Sequence, residues 1–157
     1  MRAPHLMIIG VAALGLTARV AVAAQCTNTT AVDAARAAAE TACAAEGKGC
    51  ANAPNHGTYV SCISQQINDN TSLPKECRGQ AKKCAAKSTC GKAGFVTCCR
   101  TKPRSDGTTA TKCSIKRDAE HCTPPRGGTA CAGTQSSCCD ACLDGDCAGS
   151  PSGAFVE

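Results

Sequence analysis

Residues 95–116 read Phe-Val-Thr-Cys-Cys-Arg-Thr-Lys-Pro-Arg-Ser-Asp-Gly-Thr-Thr-Ala-Thr-Lys-Cys-Ser-Ile-Lys. Asp106-Gly107 is a strong tight-turn signal, and the arms on either side, Phe95 to Lys102 and Thr109 to Lys116, suit two paired strands. In the return arm Cys113 and Ile115 alternate with Lys112, Ser114 and Lys116. A period of two therefore gives the hairpin one buried face and one basic face.

The cysteines around this hairpin set the class of protein. The chain has 157 residues and 16 cysteines, with no Trp, two Phe and one Tyr. Between residues 25 and 157 only 11 of 133 residues are Leu, Ile, Val or Phe. That is well below the share with which chains usually build an apolar core. A large enzyme fold with a packed interior is not expected on this ground, and covalent cross-links are expected to replace the missing core. The expected half-cystines are Cys26, Cys43, Cys50, Cys62, Cys77, Cys84, Cys90, Cys98, Cys99, Cys113, Cys122, Cys131, Cys138, Cys139, Cys142 and Cys147. Sixteen cysteines allow on the order of two million complete pairings, so connectivity cannot be read from the sequence.

Residues 25–89 read as a helical module. Thr30-Ala31-Val32-Asp33 has the form of a capping box, an Ala-rich stretch follows to Glu46, and Gly47 is a natural stop. A second helix is expected from Asn55 or Thr58, with Tyr59, Ile63 and Ile67 on one stripe, ending at Asn68-Asp69-Asn70. A third is expected from Ser72, with Pro74 in its first turn and Cys77 and Cys84 on one face. Bonds between helices are expected, together with bonds from the loop residues Cys26, Cys50 and Cys90. Residues 90–148 read as an irregular, β-poor module built on the hairpin, and residues 149–157 as a flexible tail. The fold class is thus a small disulfide-rich α+β protein, with about three short helices followed by an irregular module with a β-hairpin.

Two further patterns lie in the second module. Cys90-x7-Cys98-Cys99-x13-Cys113-x8-Cys122 resembles Cys131-x6-Cys138-Cys139-x2-Cys142-x4-Cys147, which suggests an internal repeat. Cys84 to Cys122, or alternatively Cys122 to Cys147, also follows the cysteine order of an inhibitor knot.

Residues 1–24 read as a secretory signal: a basic start, an apolar run from Leu6 to Leu16, and small residues at Ala21-Val22-Ala23. The run is too short to span a bilayer. Secretion, extracellular or periplasmic, is the expected localisation. Gln25 before Cys26 does not fit a lipidation signal. Past residue 24 the charge is uneven. Residues 90–126 carry eight basic and three acidic groups, whereas residues 127–157 carry four acidic groups and no Lys or Arg.

Catalytic motifs are sparse. Cys139-Asp140-Ala141-Cys142 has redox-pair spacing, but the βαβ context is missing, and the expected role is two cysteines in separate disulfides. Zinc is not expected, because paired Cys-x2-Cys knuckles are absent. Asp140, Asp144 and Asp146 form an acidic cluster without EF-hand spacing and read as a solvated turn. His56 and His121 lie in no triad motif. The first is expected to bond backbone or water and the second to face solvent. No cofactor, no metal and no catalytic residue is expected. Arg100, Lys102, Arg104, Lys112, Lys116 and Arg117 form the candidate anion-binding patch. Nucleic acid is an unlikely partner, because only Phe95 is near to stack on bases.

Asn55-His56-Gly57-Thr58-Tyr59-Val60-Ser61-Cys62, followed by Cys90-Gly91-Lys92-Ala93-Gly94-Phe95-Val96-Thr97-Cys98-Cys99, resembles a pattern in uncharacterised secreted bacterial Cys-rich proteins. The likeness covers about residues 50–147. It implies export and a bacterial source, and no activity. The function expected from all of these readings is a secreted, disulfide-stabilised, non-enzymatic binding or structural protein, whose partner would be an extracellular protein or an anionic surface. The alternatives are an inhibitor or antimicrobial-type effector acting through the basic hairpin, and a thiol redox or metal-binding protein.

Overall fold

The computed structural model describes residues 26–142. Helix α1 spans Thr29–Ala45, α2 His56–Asp69 and α3 Lys75–Ala86. Strands β1 (Val96–Pro103), β2 (Thr109–Lys116) and β3 (Thr129–Ala132) follow. The architecture is the disulfide-rich α+β fold expected from the sequence, with one strand more than the hairpin supplies. Residues 1–24, read above as a signal, and Asp144, Asp146, Cys147 and residues 149–157 lie outside the described residues.

Each helix buries one stripe. In α1 the stripe is Val32, Ala35, Ala39 and Cys43, and in α2 it is Tyr59, Cys62, Ile63 and Ile67. In α3 it is Cys77, Ala81, Cys84 and Ala85. The stripes meet with Leu73 in one small core. Alanines at the contacts let the helices approach closely, and half-cystines occupy positions where a larger core would hold Leu.

Two helix starts differ from the sequence reading. The cap of α1 is Asn28, whose side-chain oxygen accepts from the Ala31 N–H at 2.9 Å, so Thr30 lies inside the helix and forms no capping box. Cys26 bonds to Cys77, which fixes where the chain turns into α1, and Asn28 is then the polar side chain at the right offset. Helix α3 begins at Lys75 with Pro74 as its N-cap, later than Ser72. Asn70 caps the preceding turn instead, accepting from the Ser72 and Leu73 amides. Asn55 caps α2 as expected, accepting from the Thr58 N–H at 2.9 Å.

The sheet has the order β2-β1-β3, antiparallel throughout. Cys98 bonds to Cys122 and so draws the segment after β2 back across β1. Gly128 then passes so close to the Thr101 carbonyl that a Cβ would sit 2.1 Å from its oxygen. Only glycine lets β3 dock there.

Fourteen cysteines form seven disulfides among the described residues, and Cys131 is also disulfide-bonded. Cys43–Cys62 joins α1 to α2, and Cys26–Cys77 and Cys50–Cys90 close the helical part through loop residues. Residues 138–142 form a covalent hub. Cys139 bonds to Cys84 of α3, Cys142 to Cys99 of β1, and Cys138 to Cys113 of β2. Backbone pairing reinforces it: Cys138 N–H donates to Lys87 O, Thr89 N–H to Ser136 O, and Ser88 bridges Ser137.

This connectivity does not support the repeat. Cys98-Cys99 lies on a strand, whereas Cys138-Cys139 lies in the hub, outside the strands. Neither run of six pairs as a knot, because Cys84, Cys90, Cys99 and Cys113 all find partners outside the Cys84–Cys122 run, and Cys122, Cys138, Cys139 and Cys142 find theirs outside the Cys122–Cys147 run.

Candidate anion-binding face

Strand alternation and register sort the hairpin side chains. One face carries Val96, Cys98, Arg100 and Lys102 of β1 with their partners Lys116, Ser114, Lys112 and Ala110 of β2. The other carries Thr97, Cys99 and Thr101 with Ile115, Cys113 and Thr111. The hub covers the second face. Its two disulfides land on Cys99 and Cys113, and Thr97 Oγ1 donates to Gln135 O at 2.8 Å. The first face is basic, as the alternation implies, but it is not fully open, because Cys98 at its centre is buried beneath its bond to Cys122.

Arg100 and Lys112 are direct cross-strand partners. Like charges placed opposite one another destabilise a sheet. Lys112 and Lys102 are exposed, while Arg100 and Lys116 are half-buried. The Arg100 Nε and Ser114 Oγ atoms are the two buried side-chain polar atoms without a hydrogen-bond partner among the described residues, and both belong to this face. Lys116 to Ala110 covers about 20 Å at about 3.4 Å per residue. Arg104 sits in the turn at one end, where its N–H donates to Thr108 O at 2.8 Å. Arg117 follows β2 at the other end. The six basic residues therefore form an elongated stripe and do not converge on a point.

Arg117 is occupied. Its guanidinium donates to His121 Nε2 at 3.0 Å, and His121 Nδ1 lies 2.5 Å from Asp118 Oδ1. Since arginine only donates, Nε2 accepts and Nδ1 carries the proton it gives to Asp118. The His121 ring and backbone N–H together hold the Asp118 carboxyl below its usual range. His121 is exposed, as expected, but the nitrogen through which it would act as a base is blocked by Arg117. His56 reaches the Cys90 carbonyl at 2.9 Å through Nδ1 and the Ala86 carbonyl at 3.3 Å through Nε2. Gly91 packs on the Asn55–His56 backbone, nearer than any Cβ could come. The two quoted motif segments thus meet in space, and His56 serves the junction.

Cys139 and Cys142 belong to separate disulfides, as their expected structural role requires. The Sγ atoms of Cys99, Cys113 and Cys142 lie within 4.8 Å of one another, but all three are committed to sulfur–sulfur bonds. Bonded half-cystines offer no thiolate to a metal.

A second polar site was missed by sequence reasoning. Arg36 of α1 pairs with Asp140 of the hub, and also with Asp33 at 3.2 Å. It lines a cleft of about 340 Å³ with Glu40, Tyr59 and Ile63. Hydrogen bonding to Asp140 raises the Arg36 pKa above its ordinary value. Burial, with Glu40 beside it, pushes the Tyr59 hydroxyl well above the usual tyrosine range. Glu40 also accepts the Cys50 N–H at 2.6 Å. The two ends of the Arg36–Asp140 pair are 104 residues apart, and no local pattern announces it.

No family model matches the chain, and no curated protein or solved structure matches it either.

Proposed function

We propose that this chain is an exported, non-enzymatic binding protein that lays the basic face of its sheet on an anionic extracellular surface. It is a small disulfide-stabilised protein, and no helix among the described residues is long and apolar enough to cross a membrane. The segment 1–24 supports export, as does the likeness of the Asn55–Cys62 and Cys90–Cys99 stretches to secreted bacterial Cys-rich proteins. The observation that carries the reading is Arg100 held directly opposite Lys112. A fixed cation pair costs stability in the free protein and gains it back when an anion lies across both groups. Cross-links hold the strands in register beforehand, which lowers the ordering cost of binding. An elongated stripe of charge suits an extended surface.

The test is co-sedimentation with vesicles of phosphatidylglycerol and phosphatidylcholine, against phosphatidylcholine alone, at low and high salt. Binding is expected only to the anionic vesicles and only at low salt. The Lys102→Gln/Lys112→Gln variant neutralises two exposed side chains and should bind roughly 30-fold more weakly, at about 1 kcal/mol per basic residue near an anionic surface. No binding at low salt, or equal binding by the variant, overturns the proposal.

A further inference from the structure

The hub presents two disulfides side by side, and their arrangement permits an exchange that no other pair in the described residues offers. Cys99 and Cys113 face each other in register across β1 and β2, yet each is bonded to the hub instead of to the other. The Cys113 Sγ lies within 4.8 Å of both sulfurs of the Cys99–Cys142 bond. Directly opposed strand residues stand about 4.5–5.5 Å apart at Cα, inside the range a disulfide spans. Cys138 and Cys142 are four residues apart in a tight turn, in which the Ala141 N–H donates to Ser137 O at 2.8 Å. A bond between them therefore needs only that one turn to move. Cys142 is the one described non-glycine residue with positive φ, at 80°, a conformation that persists only where the surroundings impose it. Cys113, Cys138 and Cys142 are half-buried, so a small thiol can approach, while Cys99 is buried and is reached only from within.

We propose that residues 99, 113, 138 and 142 form a thiol-triggered disulfide exchange site, whose alternative pairing is Cys99–Cys113 with Cys138–Cys142. The trigger is an external thiolate, from a small-molecule thiol or a thiol-bearing protein. It attacks the Cys138 sulfur, forming a mixed disulfide there, and Cys113 leaves as a thiolate. Cys113 attacks the Cys99 sulfur, the Cys99–Cys142 bond breaks, and Cys142 leaves as a thiolate. Cys142 then attacks the Cys138 sulfur and expels the external thiolate unchanged. Two bonds break and two form, with no net oxidation or reduction.

The consequence is structural. In the observed pairing the hub is tied to both strands and to α3. In the alternative pairing it keeps only Cys84–Cys139, and the Arg36–Asp140 ion pair holds it to the helices. The sheet is released from the surface that covers its second face. The exchange does not require that the basic face bind an anion.

The experiment exposes the intact protein to a sub-stoichiometric amount of reduced glutathione, quenches with N-ethylmaleimide, and maps tryptic peptides without reduction. In the observed pairing, peptides 84–87, 93–100, 113–116, 118–126 and 127–157 stay joined as one species. Exchange splits it into 93–100 with 113–116 and 118–126, and 84–87 with 127–157, while the intact mass of the protein stays unchanged. A map that stays whole overturns the proposal, as does bond loss accompanied by maleimide on both Cys113 and Cys138. The Cys138→Ser variant provides a second test without added thiol. The maleimide label is expected on Cys142, and a label confined to Cys113 overturns the proposal.

Discussion

Removing the Cys84–Cys139 bond, by Cys84→Ala with Cys139→Ala, tests how the cross-links stabilise this fold. The two cysteines are 55 residues apart. A loop of that length, closed alone, would stabilise by about 4 kcal/mol in the chain-entropy account. The bond does not close such a loop, because Cys99–Cys142 already brings the chain back within three residues of Cys139. The shortest remaining path from Cys84 to Cys139 is about 18 residues, and the same account then gives about 3 kcal/mol. Cys43–Cys62, with a separation of 19, gives the same figure. Both of its cysteines are buried in the helical core, whereas of the other pair Cys84 is buried and Cys139 only half-buried, so the larger packing loss falls on the Cys43/Cys62 pair. The Cys84/Cys139 variant should therefore lose no more stability than Cys43→Ala/Cys62→Ala, despite the longer separation. Guanidinium unfolding of the oxidised proteins, followed by helical circular dichroism, measures both. A loss at Cys84/Cys139 that exceeds the other by about 1 kcal/mol or more would mean that the bonds act as independent loops, and the network reasoning would fail.

Three other outcomes follow from the structure. Gly128→Ala drives a methyl into the Thr101 carbonyl and should cost about 1–3 kcal/mol, with amide exchange rising first in Thr129–Ala132; unchanged protection there would contradict the close approach. Asp140→Asn weakens the ion pair to a partly exposed Arg36, and the expected loss is about 1 kcal/mol in the same unfolding assay, shrinking in high salt. Tyr59 has a folded pKa above its unfolded value, so its contribution is fully present below about pH 10 and is lost as pH rises beyond that. As the only tyrosine, it reports directly through tyrosinate absorbance, which should appear in the folded protein only well above pH 10, and Tyr59→Phe should remove that part of the alkaline stability loss.

What the sequence made legible is what short-range physics decides. The Asp106-Gly107 turn and the alternation of Lys112, Cys113, Ser114, Ile115 and Lys116 gave both hairpin arms and the side on which charge would lie. The stripe Tyr59, Ile63, Ile67 gave α2, because a period of 3.6 is visible within fourteen residues. Strand β3 was not legible. It is four residues long, and Thr-Ala-Cys-Ala has no alternation of its own. It becomes a strand because the Cys98–Cys122 bond and the missing Cβ of Gly128 bring it against β1. The α1 cap was misplaced for a related reason. Asn28 and Thr30 are both competent caps, and a bond to Cys77, 51 residues away, bears on which of them lies at the turn.

The same division explains the candidate site. Its residue types were readable, since basic side chains clustered in one hairpin are a local fact. Its energetics were not, because the opposition of Arg100 and Lys112 depends on register, and the burial of Cys98 beside Arg100 on the same face depends on a loop returning from Cys122. A larger protein could bury a strand pair carrying like charges under apolar mass and offset the repulsion by packing. Here the core holds few large side chains, so the repulsion is held in place by cross-links on the opposite face, at Cys99 and Cys113. Covalent bonds do not weaken when charge is added across the sheet from them. The like-charged pair can therefore persist without a bound partner, and the hub that makes this possible is also the part of the molecule whose sulfurs lie close enough to exchange.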